Sequence, residues 1–182
     1  LTRAVAEHGA VARVVVADIK GSAPREVGAS MLVWPDGESG TIGGGALEYE
    51  AAAKARAMLA DGGADRLDRM PLGPALNQCC GGAVVVLSEV WDADRLPALA
   101  EAKVIARPLP GTTGEMPLAV RRILNRARGE GFRPVPRVIH GWMVEPLAEA
   151  SRDIWIWGAG HVGRALAGVL APLPGLQVHP HL

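Results

Sequence analysis

Four stretches of the 182-residue chain carry residue types and spacings that could do chemistry. The first is the adjacent pair Cys79-Cys80, the only two cysteines. Neighbouring cysteines cannot easily meet the geometry a disulfide requires, and the pair has neither zinc-site spacing nor the framework of a secreted domain. Free thiols are therefore expected. They are either small buried hydrophobes or soft ligands suited to a soft metal or a sulfur-transfer partner. The second stretch is Thr41-Ile42-Gly43-Gly44-Gly45-Ala46-Leu47-Glu48, three glycines opening into a helix. Its free N–H groups suit a phosphate, although Glu48 and Glu50 sit at the positive end of the helix dipole and oppose a second anion. The alternative is a tight turn with close helix-on-strand packing. The third is Lys20 to Gly28, a loop in which Ser22 and Arg25 offer donors. The fourth is Gly158-Ala159-Gly160-His161-Val162-Gly163, which fits the dinucleotide fingerprint G-x-G-x-x-G.

The elements that must position these residues follow from periodicity and punctuation. Leu1 to His8 is helical up to Gly9, and Val11 to Ile19 reads as a central strand covered on both faces. Ala29 to Trp34 and Gly40 to Ile42 form a hairpin about Pro35-Asp36-Gly37, with the return strand ending in the glycine triplet. Ala46 to Ala60 forms a helix with Leu47, Ala51, Ala55, Met58 and Leu59 on one face, an i,i+4 pair of Glu50 and Lys54, and Gly62 at its end. Asp65 to Met70 is an edge strand. Pro71 to Gly82 is a long loop of the kind that is often functional, and it leads into the strand Ala83 to Val90. A helix over Asp94 to Ala102 and a strand over Val104 to Arg107 come next. Pro117 then opens a helix that buries Val120, Ile123, Leu124 and Ala127 and stops at Gly129. Its other face carries Arg121, Arg122, Arg126 and Arg128, with Arg133 and Arg137 following: either a grip for a phosphate or acidic partner, or a solvated face. Arg137 to Val144 is one strand, and Glu145 to Ser151 reads as a linker.

Beyond the linker the pattern becomes that of a Rossmann βαβ unit: strand Ile154 to Trp157, the glycine fingerprint, helix Arg164 to Leu170 and strand Leu176 to Val178. The carboxylate that would hold a ribose hydroxyl, expected about 20 residues past the glycines, is replaced by His179, Pro180 and His181. Two strands and one helix leave the unit incomplete. The fold class is therefore α/β: an α+β domain over 1–145, a linker over 146–153, and the start of a Rossmann-like domain over 154–182. Nineteen basic and nineteen acidic residues balance, so there is no general electrostatic pull toward nucleic acid or anionic lipid. No apolar run is long enough to span a membrane and no leader precedes the first helix, so a cytoplasmic protein is expected.

The joined motifs resemble a known family. Gly21-Ser22-Ala23-Pro24-Arg25-Glu26 with Gly28-Ala29 and Met31, Gly40-Thr41-Ile42-Gly43-Gly44-Gly45 with Leu47-Glu48, Cys80-Gly81-Gly82, Glu145-Pro146 and the run Gly158 to Gly163 look like the xanthine dehydrogenase accessory protein family, XdhC/CoxI. Asn77 departs from the glycine more usual there. The resemblance implies a chaperone, not an enzyme, that binds molybdenum cofactor (molybdopterin), works with a cysteine desulfurase and delivers the sulfurated cofactor to a xanthine dehydrogenase-type molybdoenzyme. On that reading Gly43, Gly44, Gly45 and Arg25 hold anionic parts of the cofactor. Cys80, and less so Cys79, lies near molybdenum or its sulfur. The runner-up is an NAD(P)- or flavin-dependent oxidoreductase using Gly158, Gly160 and Gly163, and the third is a thiol-dependent redox protein. A homo-oligomer is compatible with the incomplete C-terminal sheet.

Overall fold

The computed structural model describes residues 1–73, 81–99, 102–147, 152–158, 160–173 and 176–181. Helices and sheets are mixed, as the α/β class requires. The chain divides into two compact units, Leu1–Pro146 and Leu147–Leu182. Among the described residues no helix is long and apolar enough to cross a membrane.

The first unit is organised around β1 (Val11–Lys20), whose β-branched residues favour an extended chain. It pairs antiparallel with β2 (Ser30–Trp34) on one side and β5 (Ala83–Trp91) on the other. With β3 (Gly37–Gly40) and β4 (Arg66–Pro71) the sheet runs β3-β2-β1-β5-β4, so β1 is central and β4 an edge. The period of two sends alternate side chains of β1 to different cores. Ala12, Val14 and Val16 pack with Leu47, Ala51, Ala52, Ala55 and Met58 of α2 (Gly45–Ala60). Val15 and Ala17 face Leu87, Leu109 and Met143. The alanines of α2 let helix and sheet approach closely. Full burial of a Leu or Met side chain there contributes about 1.5–3 kcal/mol.

Met143 belongs to a second sheet of β6 (Val104–Pro108), β7 (Arg137–Ile139) and β8 (Trp142–Pro146) in the order β6-β8-β7. Its other face carries α3 (Leu118–Glu130) through Val120, Ile123 and Ala127 against Val104 and Val144. Unit 1 is thus layered helix, sheet, sheet, helix. At its start α1 (Thr2–His8) ends at Gly9, and His8 stacks on Trp34 with ring centroids 4.4 Å apart.

Several boundaries differ from the sequence expectation. The return strand of the first hairpin is Gly37–Gly40, and Thr41 to Gly44 form the turn that follows it. Only a 3-10 turn, Leu96–Leu99, is helical where a helix over Asp94 to Ala102 was expected, with residues 100–101 outside the description. Helix α3 runs through Gly129 and stops at Gly131, which takes the left-handed conformation at φ 65°. Arg137 to Val144 is a hairpin in place of one strand, because His140 and Gly141 adopt consecutive positive φ of 47° and 78°. Two such residues make the primed turn that matches strand twist. Glu145 is no linker residue: it lies in β8 and is 3% exposed.

The second unit comprises β9 (Arg152–Trp157), α4 (His161–Leu170) and β10 (Leu176–His181), with β9 and β10 parallel. Its strands and helix begin or end a few residues beyond the expected bounds. Trp155 stacks on His179 at 4.3 Å, and Trp157 on His181 at 5.7 Å.

Candidate functional site

The glycine triplet adopts a conformation open to almost no other residue: φ is 131° at Gly43, 73° at Gly44 and 64° at Gly45. Gly44 combines its φ with ψ −174°, a region that side chains exclude. The turn curls backbone N–H groups inward and passes directly into α2, and such a concavity binds anions. It already holds one. Oxygen Oε2 of Glu48 accepts hydrogen bonds from the Thr41 hydroxyl at 2.7 Å, the Gly44 amide at 2.9 Å and the Ile42 amide at 3.0 Å. The Gly43 amide donates to Thr41 Oγ1 at 3.1 Å. Burial pushes the Glu48 carboxyl up, but the Thr41 hydroxyl and the surrounding backbone amides outweigh it, and the net shift is downward. The sequence expectation is that Glu48, at the positive end of the helix dipole, opposes a second anion. In the structure it is the turn's own anion, and the spacing of Glu48 from Thr41 and Gly44 was the signal. The amides of Gly45 and Ala46, in the first turn of α2, have no intrahelical acceptor.

The loop of residues 20–28 forms the wall of this site. A Cβ on Gly43 would overlap Pro24 and lie 3.7 Å from Arg25 Cγ, so loop and glycine turn are in contact only because position 43 has no side chain. The same loop meets the strand that follows the cysteines. A Cβ on Gly82 would overlap the Ser22 carbonyl oxygen and stand 2.5 Å from that of Lys20. The amide of Leu72 donates to the Gly82 carbonyl at 2.7 Å. The chain therefore leaves for residues 74–80 and returns from them beside Lys20 to Ser22. Cys79 and Cys80 themselves lie outside the described residues. Arg25 is partly exposed beside the turn, with its guanidinium fork on Glu26 at 3.1 and 3.0 Å. That fork, first by hydrogen bonding, holds the Glu26 carboxyl down at about 2.

In the second unit Gly158 follows β9, Gly160 is the N-cap of α4 and Gly163 lies in the first turn of α4. Gly158 has φ 114°, and its amide donates to the His181 carbonyl at 3.1 Å. Gly160 caps α4 with no side-chain hydrogen bond, and a Cβ on Gly163 would overlap the Gly158 carbonyl. The third glycine thus secures close packing of helix on strand. The strand that should end in a ribose-binding carboxylate carries His179 and His181, and Asp153 pairs with His179 at 2.8 Å.

Sequence reasoning missed a buried ionic cluster between the two sheets of unit 1. Arg13 of β1 forks onto Glu145 of β8 at 2.7 and 2.8 Å, and Arg107 of β6 joins Glu145 at 2.6 Å and Glu89 of β5. Burial pushes the Glu145 carboxyl up, but Arg13 and Arg107 more than compensate and hold it below its ordinary value. Among the described residues no group of three His, Cys, Asp or Glu side chains could hold a metal ion.

Residues 4–69, which include the loop and the glycine turn, match the model of the XdhC and CoxI family. No curated relative matches the chain. A crystal structure described as a xanthine dehydrogenase from Bacillus halodurans is similar over 97% of this chain, at 16% identity and a TM-score of 0.60. The chain covers 60% of that protein's length, and at this identity the likeness is one of fold.

Proposed function

We propose, from the match of residues 4–69 to the model of the XdhC and CoxI family, that the chain is an accessory protein for maturation of a xanthine dehydrogenase-type molybdoenzyme. In this reading it has no catalytic residues of its own and holds molybdenum cofactor before delivery. The observation that carries the reading is the meeting of three separate motifs: Pro24 on Gly43, Gly21 and Ser22 on Gly82, and Arg25 beside the glycine turn. The cofactor couples a phosphate to a sulfur-ligated metal, so its holder needs an anion-binding end and an end that tolerates soft sulfur.

The residues fit the first requirement. A carboxylate, Glu48, already sits on the Ile42 and Gly44 amides, and this supports an oxyanion-binding role for the turn. Gly43 gives the contact with Pro24, Gly45 and Ala46 supply further amides, and Arg25 supplies a cation. The second requirement falls to Cys80, with Cys79 secondary. Both precede Gly81 and Gly82 in the chain, and the thiolate is the soft group available to molybdenum or its sulfur. The metal and its terminal sulfur would supply the redox chemistry in the recipient enzyme. A cysteine desulfurase is the implied sulfur donor, and the cytoplasm the implied compartment.

Titration of the purified chain with molybdenum cofactor and with NAD tests the proposal. Saturable cofactor binding, at least about tenfold tighter than NAD, is expected. Cys80→Ser should lower cofactor retention more than Cys79→Ser, because a hydroxyl is harder and far less readily ionised. Saturable NAD binding with no cofactor binding overturns the reading in favour of a nucleotide-dependent function at Gly158, Gly160 and Gly163.

A further inference from the structure

A second candidate site, sharing no residue with the glycine turn, lies where α3 meets the β7–β8 hairpin. Arg122 of α3, Arg137 of β7 and His140 of the hairpin turn border one open groove of about 590 Å³. Ala119, Ile123, Val138 and Ile139 complete its lining, so the groove has an apolar floor and no acidic residue.

Its parts are held by separate constraints. Helix α3 is anchored by Val120, Ile123 and Ala127, which turns Arg122 outward. His140 and Gly141 are set by the primed turn, and that turn is pinned from behind. The Gly141 carbonyl accepts from the Leu109 amide at 2.8 Å and from the Thr112 hydroxyl at 2.9 Å.

The other arginines of α3 have local partners. Arg121 faces Glu115 at 3.7 Å, Arg126 binds Glu130 at 3.2 Å and lies over Phe132, and Arg128 donates to Asn125 at 2.6 Å. The side chains of Arg122, Arg137 and His140 have no hydrogen-bond or ion-pair partner among the described residues. Arg122 and Arg137 come from different elements and border the same apolar floor, an arrangement that solvation of one helix face does not account for.

We propose that this groove binds the phosphate monoester group of a small organic molecule. The two guanidinium forks match phosphate oxygens, His140 adds a ring N–H donor, and the floor takes an apolar or ring-shaped body. The inference goes beyond the cofactor-holding role and stands whether or not that role does.

Calorimetric titration of the whole chain with phenyl phosphate, inorganic phosphate and phenol decides it, with folding of each variant checked by circular dichroism. Phenyl phosphate should bind about tenfold or more tightly than inorganic phosphate, because the ring buries apolar surface. It should also outbind phenol, and weaken as salt is raised. Arg122→Gln and Arg137→Gln should each weaken binding by about tenfold or more. Arg126→Gln, the same charge change on the same helix, should leave binding unchanged. Equal losses in all three variants would reduce the effect to general charge and overturn the proposal. So would phenyl phosphate binding no tighter than inorganic phosphate. Tighter binding of a glutamate-rich peptide through Arg122 and Arg137 would make the groove a protein-docking surface and overturn it likewise.

Discussion

At the scale of single residues, the carboxyl group of Glu48 links stability to pH. Its pKa in the folded chain lies below the ordinary 4.5, because the Thr41 hydroxyl and the turn's amides outweigh burial. A depressed carboxyl pKa contributes stability that is present above about pH 4.5 and lost as pH falls through the folded value. Glu48→Gln keeps an oxygen acceptor but loses the charge, so it should destabilise the chain at pH 7 by about 1 kcal/mol, the low end for a partly exposed charged hydrogen bond. The difference from wild type should shrink as the medium is acidified below pH 4. Urea denaturation across that range measures both, and a pH-independent difference would assign the effect to packing instead. A second substitution at this position bears on binding. If an incoming oxyanion competes with Glu48 for the Ile42 and Gly44 amides, Glu48→Ala should tighten cofactor binding even while it destabilises the fold. Loss of both would identify Glu48 as the group that shapes the turn for its ligand.

At the scale of elements, glycine does two kinds of work, and substitution separates them. Gly44 has open space around it but a backbone conformation closed to side chains, so Gly44→Ala should cost about 1–3 kcal/mol through strain alone. At Gly82 the obstacle is contact, since a Cβ there would run into backbone oxygens of Lys20 and Ser22 that no side-chain rotation can move. Gly82→Ala should therefore cost at least as much and also displace the loop of residues 20–28 from the start of β5. Thermal unfolding ranks the two stabilities. Amide exchange at Ser22 and Arg25 should accelerate in Gly82→Ala and stay near wild type in Gly44→Ala. A third glycine, Gly163, should tolerate no side chain without moving α4 off Gly158, because its neighbour there is also backbone.

At the scale of the whole molecule, the ionic cluster ties the layers of unit 1 together. Glu145 is 3% exposed and Arg107 6%, so removal of one partner strands the others in a medium that solvates them poorly. Glu145→Ala should cost about 3–5 kcal/mol at pH 7. The folded pKa of Glu145 is depressed, so the wild-type contribution is present above about pH 4.5 and declines as pH falls through the folded value. The penalty of the substitution should decline with it. Chemical denaturation of both proteins at pH 7 and pH 4 provides the check, and an Ala variant as stable as wild type would show that the cluster contributes no net stability. The two units should also differ in local stability. All three apolar clusters are built from residues of unit 1, whereas Ile156 is the one buried hydrophobic residue described in unit 2. Hydrogen exchange should be faster in β9 and β10 than in β1 and β5, and equal protection would mean that something further covers the unit 2 sheet.

Short-range signals were sufficient for much of the molecule. The β-branched run of β1, the alanine-rich face of α2, the turn at Pro35 to Gly37 and the strand, fingerprint and helix around Gly158 each depend on residues close in the chain, where periodicity and backbone preference act directly. The glycine turn and the loop of residues 20–28 were legible as candidate partners for the same reason. What tertiary structure alone decided involves partners far apart. Arg13 and Glu145 are separated by 132 positions, and nothing local to Glu145-Pro146 distinguishes a buried strand end from a linker. The helix expected over Asp94 to Ala102 gave way to a 3-10 turn, Leu96–Leu99, preceded by Arg95, which binds Asp65 and the Val90 carbonyl. The strand expected over Arg137 to Val144 folded into a hairpin because His140 could take a left-handed conformation beside Gly141, with Leu109 and Thr112 holding it there. Local preference sets which conformations a segment can adopt at low energy. The choice among them fell to burial and hydrogen-bond partners that the chain brings together only on folding.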